Sequence, residues 1–363
     1  MRLRDLALTD FRSYASLELT FPDGLTCIIG ENGIGKTNLL EAVGYLVHLK
    51  SFRGADNATM VRIGAERAYV RGQGTSKGRE LQIESEIPRT GRGRVQVNRQ
   101  RLARAADLAA AARISVFAPD DLATIKSSPG LRRDFLDDSV VSLWPRQDDT
   151  RRTLAQVLKQ RNALLRQNRS GRGRLDSDSA MMLDIWDERF AAAGEALGAA
   201  RLSLVQELGP FVDAAYRQLS TRDDDSVHLE YAPAWFDQGL DVALVASRDE
   251  DVRRGTTLVG PHRDDLGVYL NGAPSRTHAS QGEQRTLALA LRLGVHLLLT
   301  ERHGESPLLL LDDVFSELDR FRTAALFEAL PPGQAILTTA VSLPEGADPA
   351  CVLEATPGTV TER

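Results

Sequence analysis

The chain has 363 residues, of which 42% are hydrophobic and 26% charged, and its formal net charge is −5. This composition is typical of a globular protein large enough for two or three domains. No apolar run reaches the ~20 residues of a membrane-spanning helix, and the alternating apolar and charged N-terminus indicates no signal peptide. Because Cys27 and Cys351 are the only cysteines, we expect a protein of the reducing cytoplasm without a disulfide framework.

The N-terminal third predicts mostly strands. Alternating apolar residues indicate strands within 3–8 and 17–21, and an apolar run predicts a buried strand at 25–29. Apolar residues then recur at helical spacing between 39 and 47. Short alternating runs within 61–100 indicate a small antiparallel sheet.

The middle of the chain predicts helices, and the C-terminal part returns to strands. Apolar residues between 186 and 204 alternate steps of four and three, which is the seam of a coiled coil. A polar connection at 169–180 precedes them and follows an earlier helical stripe, so the two helices predict a short antiparallel hairpin arm. Buried strands are predicted at 114–117, 308–311 and 335–338.

The octapeptide at residues 30–37 fits the phosphate-binding loop G-x-x-x-x-G-K-S/T at every fixed position. It lies between a predicted buried strand and a predicted helix, so backbone N–H groups and the positive helix end converge on a phosphate. Lys36 can reach the β- and γ-phosphate oxygens, and the Thr37 hydroxyl can ligate Mg²⁺. The loop therefore predicts a nucleoside triphosphate with Mg²⁺ as its ligand.

Two aspartates follow the predicted strand at 308–311. An acid at the carboxyl end of a buried strand is the usual Mg²⁺ partner of a phosphate-binding loop. Asp312 is placed to hold Mg²⁺, directly or through water. Asp313 is placed to orient or deprotonate the attacking water.

A third motif, Ser-Gln-Gly-Glu-Gln-Arg, starts at Ser280, about thirty residues before Asp312. Ser280 and Glu283 have the spacing of a capping box at the start of a long apolar helix. A helix N-terminus with Ser and Gly is also an anion site. The motif is interpreted either as a helix cap alone or as a phosphate contact.

The order of these motifs resembles that of the ATP-binding-cassette ATPases, and the helical insertion resembles the SMC/Rad50 branch. Within this branch the chain is similar to the RecF family of bacterial DNA replication and repair proteins. The segments that carry this similarity are 11–14, 117–122, 128–137, 257–266 and 312–319.

The resemblance implies an α/β fold, an ABC-type P-loop ATPase head with mixed sheets around the loop helix and an inserted helical hairpin arm. The N-terminal half of the head would cover 1–120, the arm or lobe 121–250, and the C-terminal half 251–363.

The resemblance also implies an ATP site shared between two copies of the chain. The residues of the first copy would be Arg12, near the α-phosphate or base, and Gly30, Glu31, Asn32, Gly33, Ile34, Gly35, Lys36, Thr37 and Asn38. Those of the second copy would be Ser280, Gln281, Gly282 and Glu283, with Asp319 across the dimer interface. Thr37 and Asp312 would hold Mg²⁺, and the catalytic residues would be Lys36, Asp313 and Ser280.

The function implied is an ATP-driven homodimer that clamps duplex DNA or a single-strand/duplex junction in replication and recombinational repair. Weak, DNA-stimulated hydrolysis would release the DNA, and RecR would be the partner that helps in RecA loading. Slow turnover is expected because no histidine follows His303, so the γ-phosphate sensor would be Thr338 or Thr339, or missing. The alternatives are the nucleotide-binding subunit of a membrane transporter and a kinase that uses only the phosphate-binding loop.

Two basic stretches are interpreted either as DNA phosphate contacts or as solvated surface. The first contains Arg89, Arg92, Arg94, Arg99, Arg101 and Arg104, and the second Arg151, Arg152, Lys159, Arg161, Arg166, Arg169, Arg172 and Arg174. His262 is predicted to pair with a neighbouring carboxylate such as Asp264. Arg263 is a candidate for coupling the nucleotide state to DNA.

Overall fold

The computed structural model describes residues 1–102, 105–168, 176–220, 222, 224–330, 332–340, 343 and 346–363. The chain divides into two compact units. The first unit comprises Met1–Ala123, Phe211–Ser226 and Ala279–Arg363, and the second comprises Thr124–Pro210 and Val227–His278.

The strands within the described residues are β1 (Arg2–Phe11), β2 (Tyr14–Thr20), β3 (Leu25–Ile29), β4 (Arg67–Ser76), β5 (Arg79–Pro88), β6 (Arg94–Val97), β7 (Gln100–Arg101), β8 (Ile114–Phe117), β9 (Val227–Glu230), β10 (Gly267–Leu270), β11 (Ala273–Pro274), β12 (Leu308–Asp312), β13 (Ala335–Thr339), β14 (Cys351–Thr356) and β15 (Thr359–Glu362). The helices are α1 (Lys36–His48), α2 (Asn57–Met60), α3 (Ala105–Ala111), α4 (Leu122–Lys126), α5 (Pro129–Leu143), α6 (Gln147–Asn168), α7 (Ser177–Ser220), α8 (Leu240–Arg254), α9 (Ser275–His278), α10 (Gln281–His303) and α11 (Arg320–Ala329). Short 3₁₀ turns cover Pro119–Asp121 and Val314–Glu317.

Two six-stranded sheets build the first unit. One has the order β15-β14-β3-β13-β12-β8 and is parallel from β14 to β8. The other has the order β2-β1-β4-β5-β6-β7 and is antiparallel throughout. Helix α1 contacts both sheets, and nearly all its residues are buried, as expected for a helix that is apolar on most of its surface.

The strands predicted from alternation and apolar runs are confirmed in this unit. β3, β8, β12 and β13 are the buried apolar runs, because parallel strands covered on both faces have no solvent side. The antiparallel sheet predicted within 61–100 is formed by β4, β5 and β6, in which successive residues alternate between more buried and more open positions. Cys27 and Cys351 are free and buried on neighbouring strands.

The second unit is mainly helical and has a small sheet of order β11-β10-β9. The predicted seam on α7 is buried: Phe190 and Leu197 pack in one cluster with Trp235 and Leu240. Residues 251–278, which the sequence placed in the C-terminal half of the head, belong to this unit because β10 pairs with β9. Most of the predicted polar connection lies outside the described residues, as do Arg104, Arg169, Arg172 and Arg174.

Two predictions about charged residues of the second unit need correction. Arg161 is not on a basic surface: it is fully buried and donates to Asp187 at 2.6 Å and to Asp251 at 2.7 Å. His262 does not pair with Asp264, because its Nε2 contacts the Thr257 carbonyl oxygen at 3.0 Å. The Asp264 carboxylate instead accepts from the Tyr231 hydroxyl and the Trp235 indole, which lie in the buried interior.

Two histidines, one in each unit, lose water on folding, and this predicts a loss of stability in mild acid. Desolvation lowers the pKa of His262 and of His296 to about 4. In the unfolded chain their pKa is near 6.5, so unfolding takes up protons below that pH. The free energy of unfolding should therefore be at its full value above about pH 6.5 and decrease by about 1.4 kcal/mol per pH unit for each histidine as the pH falls towards 4.

Urea unfolding of the protein over this pH range measures the effect. His296→Gln should flatten the slope between about pH 6.5 and 5 by roughly 1.4 kcal/mol per unit, whereas the exposed His278→Gln should leave the slope unchanged. In the unfolded chain the carboxyl groups titrate near pH 4, below this window. A free energy of unfolding that stays constant between about pH 6.5 and 5 would contradict the assignment of neutral, desolvated histidines.

Among the described residues, no helix combines the length and the hydropathy needed to cross a lipid bilayer.

Candidate functional site

The glycine loop between β3 and α1 has a backbone that only glycine adopts easily. Gly33 and Gly35 have φ of 81° and 119°, in the left-handed region. A Cβ at Gly35 would lie 2.7 Å from the Ser13 hydroxyl, and a Cβ at Gly30 would lie 2.7 Å from the Ala355 carbonyl oxygen. Conformation and close packing therefore both explain the glycines of the motif.

Lys36 lies in the first turn of α1 and closes the loop. Its Nζ donates to the carbonyl oxygens of Gly30 at 2.6 Å and of Glu31 at 2.8 Å, and only 5% of the residue is exposed. Desolvation lowers its pKa, and the nearby carboxylates of Asp313 and Asp312 act in the opposite direction. The loop thus surrounds one largely buried cation that faces the acidic pair.

Thr37 and Asp312 meet, although they are far apart in sequence. Thr37 Oγ1 donates to Asp312 Oδ1 at 2.9 Å, and Thr338 Oγ1 donates to the same oxygen at 2.8 Å. This contact follows from the sheet order, because β3, β13 and β12 are adjacent parallel strands whose carboxyl ends lie at one edge of the sheet. Burial raises the pKa of Asp312, while the two hydroxyl donors and the charge of Arg53 lower it.

Asp313 has an unusual backbone and an unsatisfied side chain. Its φ is 48°, and its N–H donates to the Thr338 carbonyl and hydroxyl oxygens, both at 3.1 Å. Its Oδ1 is buried, and no hydrogen-bond donor reaches it from the described residues. A strained acid with an unpaired buried oxygen marks a position where a ligand or water completes the hydrogen bonding.

These groups fit a triphosphate with a divalent cation. The loop supplies main-chain N–H groups and the Lys36 ammonium for phosphate oxygens. The Thr37 hydroxyl and the Asp312 carboxylate supply neighbouring oxygen ligands, which Mg²⁺ prefers. The predicted association of the loop with the acidic strand is thus present in the folded chain.

The N-terminus of α10 carries the capping box predicted from the sequence. Ser280 Oγ accepts from the Glu283 N–H at 3.3 Å, and Glu283 Oε2 accepts from the Ser280 N–H at 2.7 Å. Hydrogen bonding of its carboxylate to the backbone and side chain of Ser280 lowers the pKa of Glu283. Ser280 and Gln281 are exposed, and a Cβ at Gly282 would lie 3.5 Å from the guanidinium of Arg322. The helix end is therefore open to solvent and flanked by a cation.

Arg12 is placed differently from the loop residues. Its Nε and Nη2 donate to the fully buried Glu41 at 2.7 and 2.8 Å, and its Nη1 donates to the Thr59 carbonyl oxygen. Next to it, Asn38 Nδ2 donates to the Ser13 hydroxyl at 3.1 Å. Both residues fasten the β1–β2 turn to α1, and a contact of Arg12 with the nucleotide stays a prediction.

Two contributors to the site were missed from the sequence. Arg53 acts on Asp312 through its charge, but it belongs to no motif that could have identified it. The Tyr14 hydroxyl donates to the Gly35 carbonyl oxygen at 3.1 Å and thereby supports the loop. Tyr14 is fully buried, and its contact with the glycine loop can be recognised only in the folded structure.

Comparison with known proteins agrees with this geometry. The family model described as "RecF/RecN/SMC N terminal domain" matches residues 2–340. With the glycine loop, the acidic pair at the sheet edge and the serine-capped helix, this match defines the class of the protein: an ABC-type ATPase head with a helical insertion.

The particular family follows from the relatives. The chain is 42% identical to "DNA replication and repair protein RecF" of Streptomyces avermitilis over 94% of this chain and 93% of that protein. It is 40% identical to the protein of the same name from Arthrobacter sp. over the same shares of the two chains. The solved "Structure of the recombination mediator protein RecF-ATPrS in RecFOR pathway" matches with a TM-score of 0.90 and 28% identity, over 99% of this chain and 98% of that chain. The chain belongs to the RecF family.

Proposed function

We propose that the chain is an ATP-dependent DNA-binding protein of DNA replication and recombinational repair. The observation that carries the proposal is the 2.9 Å hydrogen bond between Thr37 and Asp312, which joins the glycine loop to the acidic strand. Membership of the RecF family supports the role in repair and does not favour a transporter subunit or a kinase.

In the proposed site, one copy holds the phosphates. The N–H groups of Gly30 to Asn38 and the Lys36 ammonium bind the phosphate oxygens. Thr37 and Asp312 hold Mg²⁺, which when bound neutralises charge on the phosphate oxygens. Because Lys36 is largely buried, it contributes a charge that is weakly screened by water.

A second copy supplies the other half of the site. Its exposed Ser280 and the N–H groups at the start of α10, with Gln281, Gly282 and Glu283, are proposed to bind the γ-phosphate. Asp319, the N-cap of α11, is proposed to lie at the interface between the copies. The γ-phosphate then links two copies, and its loss on hydrolysis separates them.

Asp313 is proposed to orient the attacking water and accept its proton. Its unpaired buried oxygen supports this role. The Thr338 hydroxyl is already shared between Asp312 and the Asp313 N–H, which supports slow hydrolysis in a site that has no histidine as its γ-phosphate sensor. We therefore propose a weak, DNA-stimulated ATPase.

The proposed partners are duplex DNA or a single-strand/duplex junction, a second copy of the chain, and RecR, with RecA loading as the outcome in the cytoplasm. Sedimentation velocity with Mg²⁺ tests the core of this proposal. ATP should convert monomers into dimers, and a gapped duplex should bind to the dimer and raise the rate of phosphate release. The proposal would be refuted by monomers at saturating ATP, or by dimers that neither bind the gapped duplex nor release phosphate faster in its presence.

A further inference from the structure

The β6–β7 hairpin is a strongly basic edge of the first unit. Between Glu86 and Asp107 the sequence contains six arginines and no acidic residue. Of these, Arg92, Arg94, Arg99 and Arg101 are exposed, and none forms an ion pair within the part of the chain that the structure describes. The four side chains thus present unneutralised charge to solvent.

The neighbouring acids do not neutralise this edge. Glu86 lies opposite Arg94 in the β5–β6 ladder, but its carboxylate accepts from Arg67 on β4. In the same way Glu84 pairs with Arg71 at 3.3 Å. The acidic side chains of β5 therefore face the interior strands of the sheet.

Arg99 occupies a turn position that favours glycine. Asn98 and Arg99 form the two-residue turn between β6 and β7, and both have positive φ, 49° and 66°. Asn-Gly is the favoured pair for such a turn, because glycine has no Cβ to clash at positive φ.

The same chain uses glycine where the geometry recurs. In the β4–β5 turn, Lys77 has φ of 50° and Gly78 of 70°; in the β10–β11 turn, Asn271 has φ of 52° and Gly272 of 79°. Arg99 is the residue that departs from this pattern.

The strained turn is held firmly in place. Asn98 donates from its backbone N–H to the Gln82 carbonyl at 2.9 Å and accepts from the Gln82 N–H at 2.8 Å. Its amide also donates to the Glu80 carbonyl at 3.3 Å. A fixed tip that projects an arginine from a position better suited to glycine indicates a function for that side chain.

Protection of the sheet edge does not explain Arg99. Charged side chains on an edge strand prevent pairing with other chains, and Arg94 and Arg101 lie on the ladder where they do so. Arg99 lies in the turn beyond the ladder and blocks no hydrogen-bonding group there.

We propose that the β6–β7 hairpin, with Arg99 at its tip, is a contact surface for the phosphate backbone of DNA. This inference rests on the proposed function and locates part of its DNA contact. Arginine is suited to phosphate oxygens because it presents a planar fork of donors. The hairpin reads no bases, so its contribution to affinity is independent of sequence and falls with salt.

Arg99→Gly tests the proposal, because it removes the charge and relieves the turn. The melting temperature should be unchanged or higher. Affinity for a fluorescent duplex, measured by anisotropy with ATP and Mg²⁺, should fall by about five- to tenfold at moderate salt. The slope of log affinity against log salt should become shallower by about one unit.

Two further variants complete the experiment. Arg99→Lys keeps the charge in the same turn and should retain most of the affinity. Arg2→Gln is the control for loss of one charge, since Arg2 is exposed in the same unit and paired with Asp23 at 2.8 Å; it should bind DNA like the wild type.

The possible results distinguish a failure of the hairpin contact from a failure of the proposed function. If the wild type binds DNA and Arg99→Gly binds it with the same affinity and the same salt slope, the hairpin contact is overturned and the proposed function stays intact. A wild type that binds no DNA overturns both. A lower melting temperature of Arg99→Gly contradicts the strained turn on which the inference depends.

Discussion

Replacing Lys36 with methionine is expected to weaken ATP binding strongly and to abolish the ATP-dependent association of two copies. The ammonium is largely buried, is held by the carbonyls of Gly30 and Glu31, and faces Asp312 and Asp313. Without the ammonium, the phosphates would lie near two carboxylates with no cation in the loop to offset the negative charge. The loss should be about 2–5 kcal/mol of binding free energy, or roughly thirtyfold to several thousandfold in affinity.

Titration calorimetry with ATP measures this loss. Methionine keeps the length of the aliphatic stem, so the melting temperature should change little. Lys159→Met is the matched control, because Lys159 is exposed on α6 and its loss should leave ATP binding unchanged. Retention of wild-type affinity by Lys36→Met would show that the glycine loop is not the phosphate site.

Replacing Asp313 with asparagine is expected to trap the ATP-bound dimer. Asparagine has the same shape and tolerates the left-handed backbone that Asp313 adopts, with φ of 48°. It cannot accept a proton from water, so the rate of hydrolysis should fall by about 10²- to 10⁴-fold while ATP still binds. The dimer and its DNA complex should therefore accumulate.

Single-turnover phosphate release and sedimentation velocity together test this expectation. Asp23→Asn is the control, because Asp23 is exposed and its known contact is the surface pair with Arg2. A hydrolysis rate for Asp313→Asn close to that of the wild type would mean that another group positions the water.

Much of the fold could be predicted from short-range patterns. The apolar runs that became β3, β12 and β13 are buried on both faces, so their composition identifies them without any knowledge of their partners. The capping box of α10 is equally local, since Ser280 and Glu283 are three residues apart. Periodicity and cap chemistry act within one element, and a sequence shows them directly.

The contacts that the sequence did not reveal are those that depend on register and packing. Thr338 reaches Asp312 only because β12 and β13 pair with these two residues opposite each other. Arg161 resembles its exposed basic neighbours in sequence, yet the fold buries it against two aspartates. Similarly, the engagement of Arg12 with Glu41 depends on how the β1–β2 turn lies on α1.

We propose that one triphosphate joins the glycine loop of one copy to the Ser280 helix of another. Ser280→Arg should bind ATP but fail to associate, because the added side chain fills the space of the opposing phosphate. Ser280→Ala loses the cap, at a cost of about 1 kcal/mol of stability, together with the proposed hydroxyl contact, but it keeps the N–H groups at the start of α10 and should still associate, though more weakly.

Mixing two variants that do not associate alone tests whether the site is shared between copies. Lys36→Met retains an intact Ser280 helix, and Ser280→Arg retains an intact loop, so a mixed dimer contains one complete shared site. Sedimentation velocity with ATP should detect dimers in the mixture and in neither variant alone. A mixture that stays monomeric with ATP, while the wild type dimerises, would show that both elements act within a single copy.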